Sequence, residues 1–206
     1  MNRTGAVILR AFTTIMLAVL ACSCSSPIST VSPAAAHTRS QSTGSPSASV
    51  SYHATALSTG LPNFHMVDPF LLRGAAPTPD GLRNLKAMHV KTVIDLRISP
   101  RDVKAEKALV EKLGIRFINL PMSGDSPTAA EVSTWLRTVQ DPSAQPVFIH
   151  CQHGADRTGT MVGIYREKVD GWKFPETYKE MRKYGFNPVW FKLKDAVEKC
   201  AADGRK

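Results

Sequence analysis

The chain has 206 residues, 43% of them hydrophobic and 21% charged, with a formal net charge of +9. That apolar share excludes a disordered or fibrous chain and provides the core of one globular domain with appendages. Of the basic residues only Arg3, Arg10 and Arg39 precede Leu61, and no acidic residue does, so the rest of the chain is itself basic. Such a balance suits an anionic substrate or a membrane surface; nucleic acid is not among the expected partners.

In chain order, residues 1–22 begin with Arg3 and Arg10, run apolar from about Ala11 to Ala21, and reach small residues and cysteines. This is the pattern of an export signal, and its apolar run is shorter than the roughly 20 residues that span a bilayer. "VLAC", ending at Cys22, resembles a bacterial lipobox, so the expected mature protein is an exported, periplasmic or otherwise extracytoplasmic lipoprotein anchored through lipidated Cys22. An ordinary cleaved signal is the alternative. Residues 23–60 are dominated by Ser, Thr, Ala and Pro and read as a flexible tether. The domain is then expected over residues 61–206.

"NFHMV" and "FLLRG", either side of Asp68-Pro69, predict a small hairpin or paired edge strands. "TPDGLRNLKAMH" places Leu82, Leu85 and Met88 at helical spacing, and "VKTVIDLR" follows as a buried strand. A second helix is expected in "SPRDVKAEKALVEKLG", with Ser99 as cap, Pro100 in the first turn and Gly114 at the end. After the strand "IRFINLP", "TAAEVSTWLRTVQ" opens with Thr128 and Glu131 in capping-box spacing, and "QPVFIHC" is a third apolar strand. The last third reads as two helices divided at Gly185 and Pro188. Alternating strands and helices argue an α/β domain: a central, mainly parallel sheet flanked by helices.

The strand "PVFIH" runs into "CQHGADRTGT" and then a helix. Gly154 supplies a residue that can take φ > 0, so the N–H groups of Gln152, His153, Gly154, Ala155, Asp156 and Arg157 can converge at a helix N-terminus and bind a tetrahedral dianion. Arg157 adds a planar fork for two phosphate oxygens. At that helix end the Cys151 thiol is expected below its free pKa of about 8.5, as a nucleophilic thiolate. The leaving group needs a proton donor on a nearby loop, and Asp125 in "SGDSP" is the candidate, although the same segment would make a good turn. Asp95 with Arg97 reads as loop support. The chain has no CxxC pair and no Cys/His spacing for zinc, so neither metal nor cofactor is expected; a Cys151–Cys200 disulfide stays open.

"HCQHGADRTG" resembles the signature loop of cysteine-based protein tyrosine and dual-specificity phosphatases. The likeness extends through "LLRGAAPTPDGLRNLKAMHVKTVIDLR", "LPMSGDSPTAAEV" and "EMRKYGFNPVW", in the order found in compact bacterial dual-specificity-like phosphatases, and covers about residues 61–200. The resemblance implies their phosphatase fold, a cysteinyl-phosphate intermediate, and phosphorylated proteins or other phosphoesters as substrates. It also implies that His150 orients the loop and tunes the thiolate, that Thr158 hydrogen-bonds the thiolate, and that the acid loop contains Asp125. A core histidine and a plain helix start are the structural alternatives for His150 and Thr158. Asp156 departs from many protein phosphatases and is similar to the "DRT" of myotubularin-like and Sac-like phosphoinositide phosphatases. It therefore competes with Asp125 as the acid and keeps inositol phosphates or phosphoinositides open as substrates. A non-catalytic phosphate-binding module is the reading from another class.

Overall fold

Asp68 cannot continue its strand past Pro69, which has no N–H to offer a ladder. Its carboxylate instead accepts from the N–H groups of Phe70 (2.7 Å) and Leu71 (2.8 Å), turning the chain between β1 (His65–Asp68) and β2 (Leu71–Ala75). The computed structural model describes residues 58–203, with side chains as far as Cys200. The signal and the Cys22 anchor, with the tether up to residue 57, lie outside the described residues. Leu61 N–H donates to Ser58 O (3.0 Å) and Asn84 Nδ2 to Thr59 O (2.9 Å), so the last three residues assigned to the tether are hydrogen-bonded to the domain or partly buried against it.

The remaining elements follow in alternation: α1 (Pro79–Ala87), β3 (Thr92–Asp95), α2 (Pro100–Lys112), β4 (Arg116–Asn119), α3 (Ala129–Gln140), β5 (Val147–Cys151), α4 (Asp156–Lys168), α5 (Phe174–Lys183) and α6 (Phe191–Asp203). The sheet order is β1-β2-β5-β3-β4, with only β1 antiparallel. The hairpin expected from sequence is present, but only β1 lies at an edge. β2 is buried along its whole length because its far side pairs in parallel with β5.

Caps set the helix starts. Thr128 and Glu131 form the full reciprocal capping box, and Thr78 Oγ accepts from Gly81 N–H (3.1 Å). Ser99 precedes α2 as expected, but its side chain makes no cap bond; Pro100, pre-set for the first helical position, begins that helix without it.

Successive strand residues point to opposite faces, and both faces are covered. Leu72, Val93 and Phe148 pack with Leu82, Leu85 and Val110 of α1 and α2. Leu71, Ile94, Ile149 and Cys151 pack on the other face with Trp135, Met161 and Val197 of α3, α4 and α6. Each fully buried aliphatic or aromatic side chain contributes roughly 1.5–3 kcal/mol by removal from water. The four parallel strands bring their C-terminal ends to one side, where open α/β sheets bind ligands. The loops after β2, β3, β4 and β5 therefore converge around residues 76, 97, 122 and 153.

Candidate active site

Cys151 is the last residue of β5, the central strand, and is only 2% exposed. His150 precedes it and so must face the opposite side of the sheet. There its Nε2 meets Glu106 Oε1 of α2 at 2.7 Å, while Nδ1 lies 3.3 Å from Cys151 O. Glu106 also receives Arg97 Nη2 (2.6 Å), and Arg97 grips Asp95 through Nε and Nη2. Asn119 Nδ2 closes the network on the carbonyls of Asp95 (2.8 Å) and Arg97 (3.0 Å). The burial of these charges is tolerable because each is paired. Asp95 and Arg97 thus support the loops, and His150 is both a partnered core histidine and a neighbour of the cysteine's carbonyl. Asp95, Glu106 and His150 are the cluster with metal-ligand chemistry among the described residues, and Arg97 already satisfies its two carboxylates.

Gly154 adopts φ +69°, and a Cβ there would fall about 2.5 Å from the backbone N of Ala75 in β2. Glycine is therefore required twice over, by conformation and by the close approach of the loop to the neighbouring strand. The helix begins two residues earlier than "TGTMVGIYREKV" suggests, with Asp156 and Arg157 in its first turn, where an acidic residue suits the positive pole. No side chain caps this 13-residue helix, so no capping oxygen occupies its first N–H groups.

A cavity of about 340 Å³ adjoins the loop, lined by His153, Asp156 and Arg157 from the β5–α4 segment, by Ser123 and Gly124 after β4, and by Trp190 before α6, among others. Arg157 Nη1 lies 3.4 Å from Leu96 O and 3.3 Å from Met122 O, which fixes the fork between the ends of β3 and β4. Of the remaining loop residues expected to bind substrate, Gln152 is exposed whereas Gly154 and Ala155 are buried.

Asp125 does not line this cavity; it faces the adjoining one with Trp190 and Lys192. Lys192 Nζ contacts its carboxylate at 2.6 Å, and this hydrogen bond and charge, with Ser123 Oγ, hold the Asp125 carboxyl below its ordinary range. In the loop's observed position the Asp125 carboxyl is thus paired with Lys192 rather than turned to the cavity beside Arg157. Asp156 lines the cavity beside Arg157, with Oδ1 accepting from Asn187 N–H (2.8 Å). Thr158 Oγ1 is fully buried without a hydrogen-bond partner, so the expected bond to Cys151 is not made; its place in the first turn of α4 leaves the hydroxyl enclosed by the core. No disulfide joins Cys151 and Cys200; they lie at the end of β5 and on α6.

Sequence reasoning missed Arg73, Asn63, Glu106 and Trp190. A signal existed for two of them. Arg73 interrupts the apolar strand "LLRG", and Glu106 falls on the Val103–Val110 stripe of its helix.

The family model described as a DSP-PTPase phosphatase fused to NAD+ kinase matches residues 58–198. The dual specificity protein phosphatase TpbA of Pseudomonas aeruginosa is 34% identical over 125 residues, 60% of this chain and 55% of that protein. Inositol diphosphatase DSP3 of Arabidopsis thaliana is 31% identical over 126 residues, 59% of this chain and 61% of the relative. The matched stretch thus spans little more than half the length of these relatives. The crystal structure of TpbA superposes with a TM-score of 0.59 at 29% identity, over 69% of this chain and 87% of that one. A second TpbA structure, a cysteine-to-serine variant, was solved in complex with phosphotyrosine.

Proposed function

The chain belongs to the DSP-PTPase phosphatase family, and from that premise we propose that it hydrolyses phosphate monoesters through a cysteinyl-phosphate, with tyrosine-phosphorylated protein as the leading substrate. One observation carries the reading: Cys151 ends the central strand directly before a turn that Gly154 presses against β2, and Arg157 stands in the first turn of the uncapped helix beyond. In the first step the Cys151 thiolate attacks phosphorus as the ester P–O bond breaks, and the leaving oxygen takes a proton. Asp156 is the carboxyl best placed to give it, with Asp125 the alternative once its Lys192 pair opens. Water then attacks phosphorus, giving a proton to the carboxylate left by the first step, while the P–S bond breaks to restore the Cys151 thiolate and inorganic phosphate leaves. The loop N–H groups and Arg157 receive the negative charge throughout.

The partly exposed Ile98 and Trp190 give the cavity an apolar wall, and Lys192 beyond is already paired with Asp125. That lining favours an aryl phosphate. Asp156 and the likeness to an inositol diphosphatase support a second reading, inositol phosphates or phosphoinositides. Export and a lipid anchor at Cys22 rest on the arginine-flanked apolar run and "VLAC"; Cys22→Ser should release the protein from the membrane fraction.

The test is phosphate release by the full chain under reducing, metal-free conditions, with phosphotyrosine, phosphoserine and phosphothreonine peptides, phosphoinositides and inositol hexakisphosphate. Cys151→Ser should abolish turnover while retaining phosphate binding. Turnover in that variant sinks the mechanism. Preference for the inositol compounds would select the second reading, and release by the wild type no greater than by the variant would leave a binding module.

A further inference from the structure

Arg73 is completely buried, yet two of its donor atoms, Nε and Nη1, have no hydrogen-bond partner. A buried cation with idle donors is destabilising where an apolar residue would pack, so its retention calls for an explanation beyond packing. Burial lowers its pKa to about 10, so it remains charged at neutral pH. Its guanidinium lies 4.7 Å from the centre of the Tyr184 ring, and Nη2 donates to the carbonyl of Gly154 at 2.9 Å.

That bond is one of a series. The carbonyl of Gln152 accepts from Ala76 N–H (3.4 Å), that of His153 from Asn63 Nδ2 (3.2 Å), and that of Ala155 from Gly159 N–H within α4 (2.8 Å). Three successive carbonyls, of Gln152, His153 and Gly154, are thus held by residues outside the β5–α4 segment, and the fourth by its own helix. In a planar trans peptide the N–H points opposite to the carbonyl of the same unit. Holding the carbonyls of Gln152, His153 and Gly154 outward therefore turns the N–H groups of His153, Gly154 and Ala155 inward. Asn63 is suited to its part. Its left-handed backbone (φ 49°) is tolerated by Asn, and its amide is oriented by two carbonyl acceptors, of His153 and Tyr184 (3.3 Å), with His65 Nε2 3.1 Å from Oδ1.

We propose that Asn63 and Arg73 are positioning residues of the phosphate-binding loop: they fix its carbonyls on the outer side, so that a tetrahedral oxyanion meets N–H groups already turned toward it. The proposal rests on the phosphatase reading above. Neither residue touches the substrate. Their effect is pre-organisation, which lowers the reorganisation an anion would otherwise have to drive.

The experiment uses the full chain, with inhibition by inorganic phosphate and orthovanadate and the separate kcat and KM for an aryl phosphate. Asn63→Gly keeps the left-handed backbone and removes the side-chain amide, with its bonds to His153, Tyr184 and His65; the inhibition constants and KM should rise about tenfold, the effect of the one hydrogen bond to the loop, with kcat changed less. Asn63→Asp, nearly isosteric, sets a carboxylate against two carbonyls and should raise them further. Arg73→Met should do the same if it folds, and the Asn63 variants decide the matter if it does not. Unchanged inhibition constants in Asn63→Gly, whether or not its melting temperature falls, would show that the bond only supports the fold and would overturn the proposal. Failure of the phosphatase reading is distinguishable, because the wild type itself would then neither bind vanadate nor release phosphate.

Discussion

Gly154 carries the sharpest demand on a single residue. Gly154→Ala adds a methyl against the backbone of β2 and places an L residue at φ +69°, a conformation disfavoured by roughly 1–2 kcal/mol before any clash. Turnover should be lost while far-ultraviolet circular dichroism is retained; a variant with wild-type kcat/KM would contradict the role given to this turn. The two carboxyls can be separated by leaving-group dependence. Asp156→Asn should slow esters of poor leaving groups, such as phosphoserine, more than aryl esters, whereas Asp125→Asn should do so only if the loop moves during turnover. Because Asp125 titrates below its ordinary range, its pair with Lys192 is complete at neutral pH and is lost as pH falls through that lowered value. Lys192→Met should move the Asp125 titration upward, as followed by carboxyl carbon shifts.

At the level of elements, β5 and α4 act as one unit, and their neighbours hold them. Residues 158–164 of α4 are buried all round, and Trp135 of α3 donates from its indole to Met161 O at 2.7 Å. From the opposite face of the sheet α2 contributes Glu106, which joins His150 to Arg97. Glu106→Gln would leave a buried Arg97 with a weakened partner and should destabilise the fold by about 3 kcal/mol in urea unfolding. These elements were legible in sequence to different degrees. Strands β3 and β5, the capping box at Thr128 and the turn at Gly154 follow from local chemistry. The interior position of β2, the partners of His150 and the brace on the loop depend on contacts between residues 44 to 90 apart in the chain, which no local pattern encodes. The pairing of Asp125 escaped the sequence for a related reason: its turn is local, but Lys192 lies 67 residues away.

For the whole molecule, the excess of basic residues acts on encounter rather than on chemistry. With a formal charge of +9, kcat/KM for a multiply charged phosphopeptide should fall as sodium chloride is raised, while kcat changes little. A kcat that falls in step would place the salt effect in the site instead. The sheet's borders bear on how the protein behaves when concentrated. Both edge strands are four residues long; β1 shifts register between Met66 and Asp68, and β4 opens on the exposed Arg116. Short, irregular or charged margins give an approaching strand few consecutive hydrogen bonds to copy. The parallel core is thereby sealed against lateral growth, and concentrated solutions of the domain should resist assembly into fibrils.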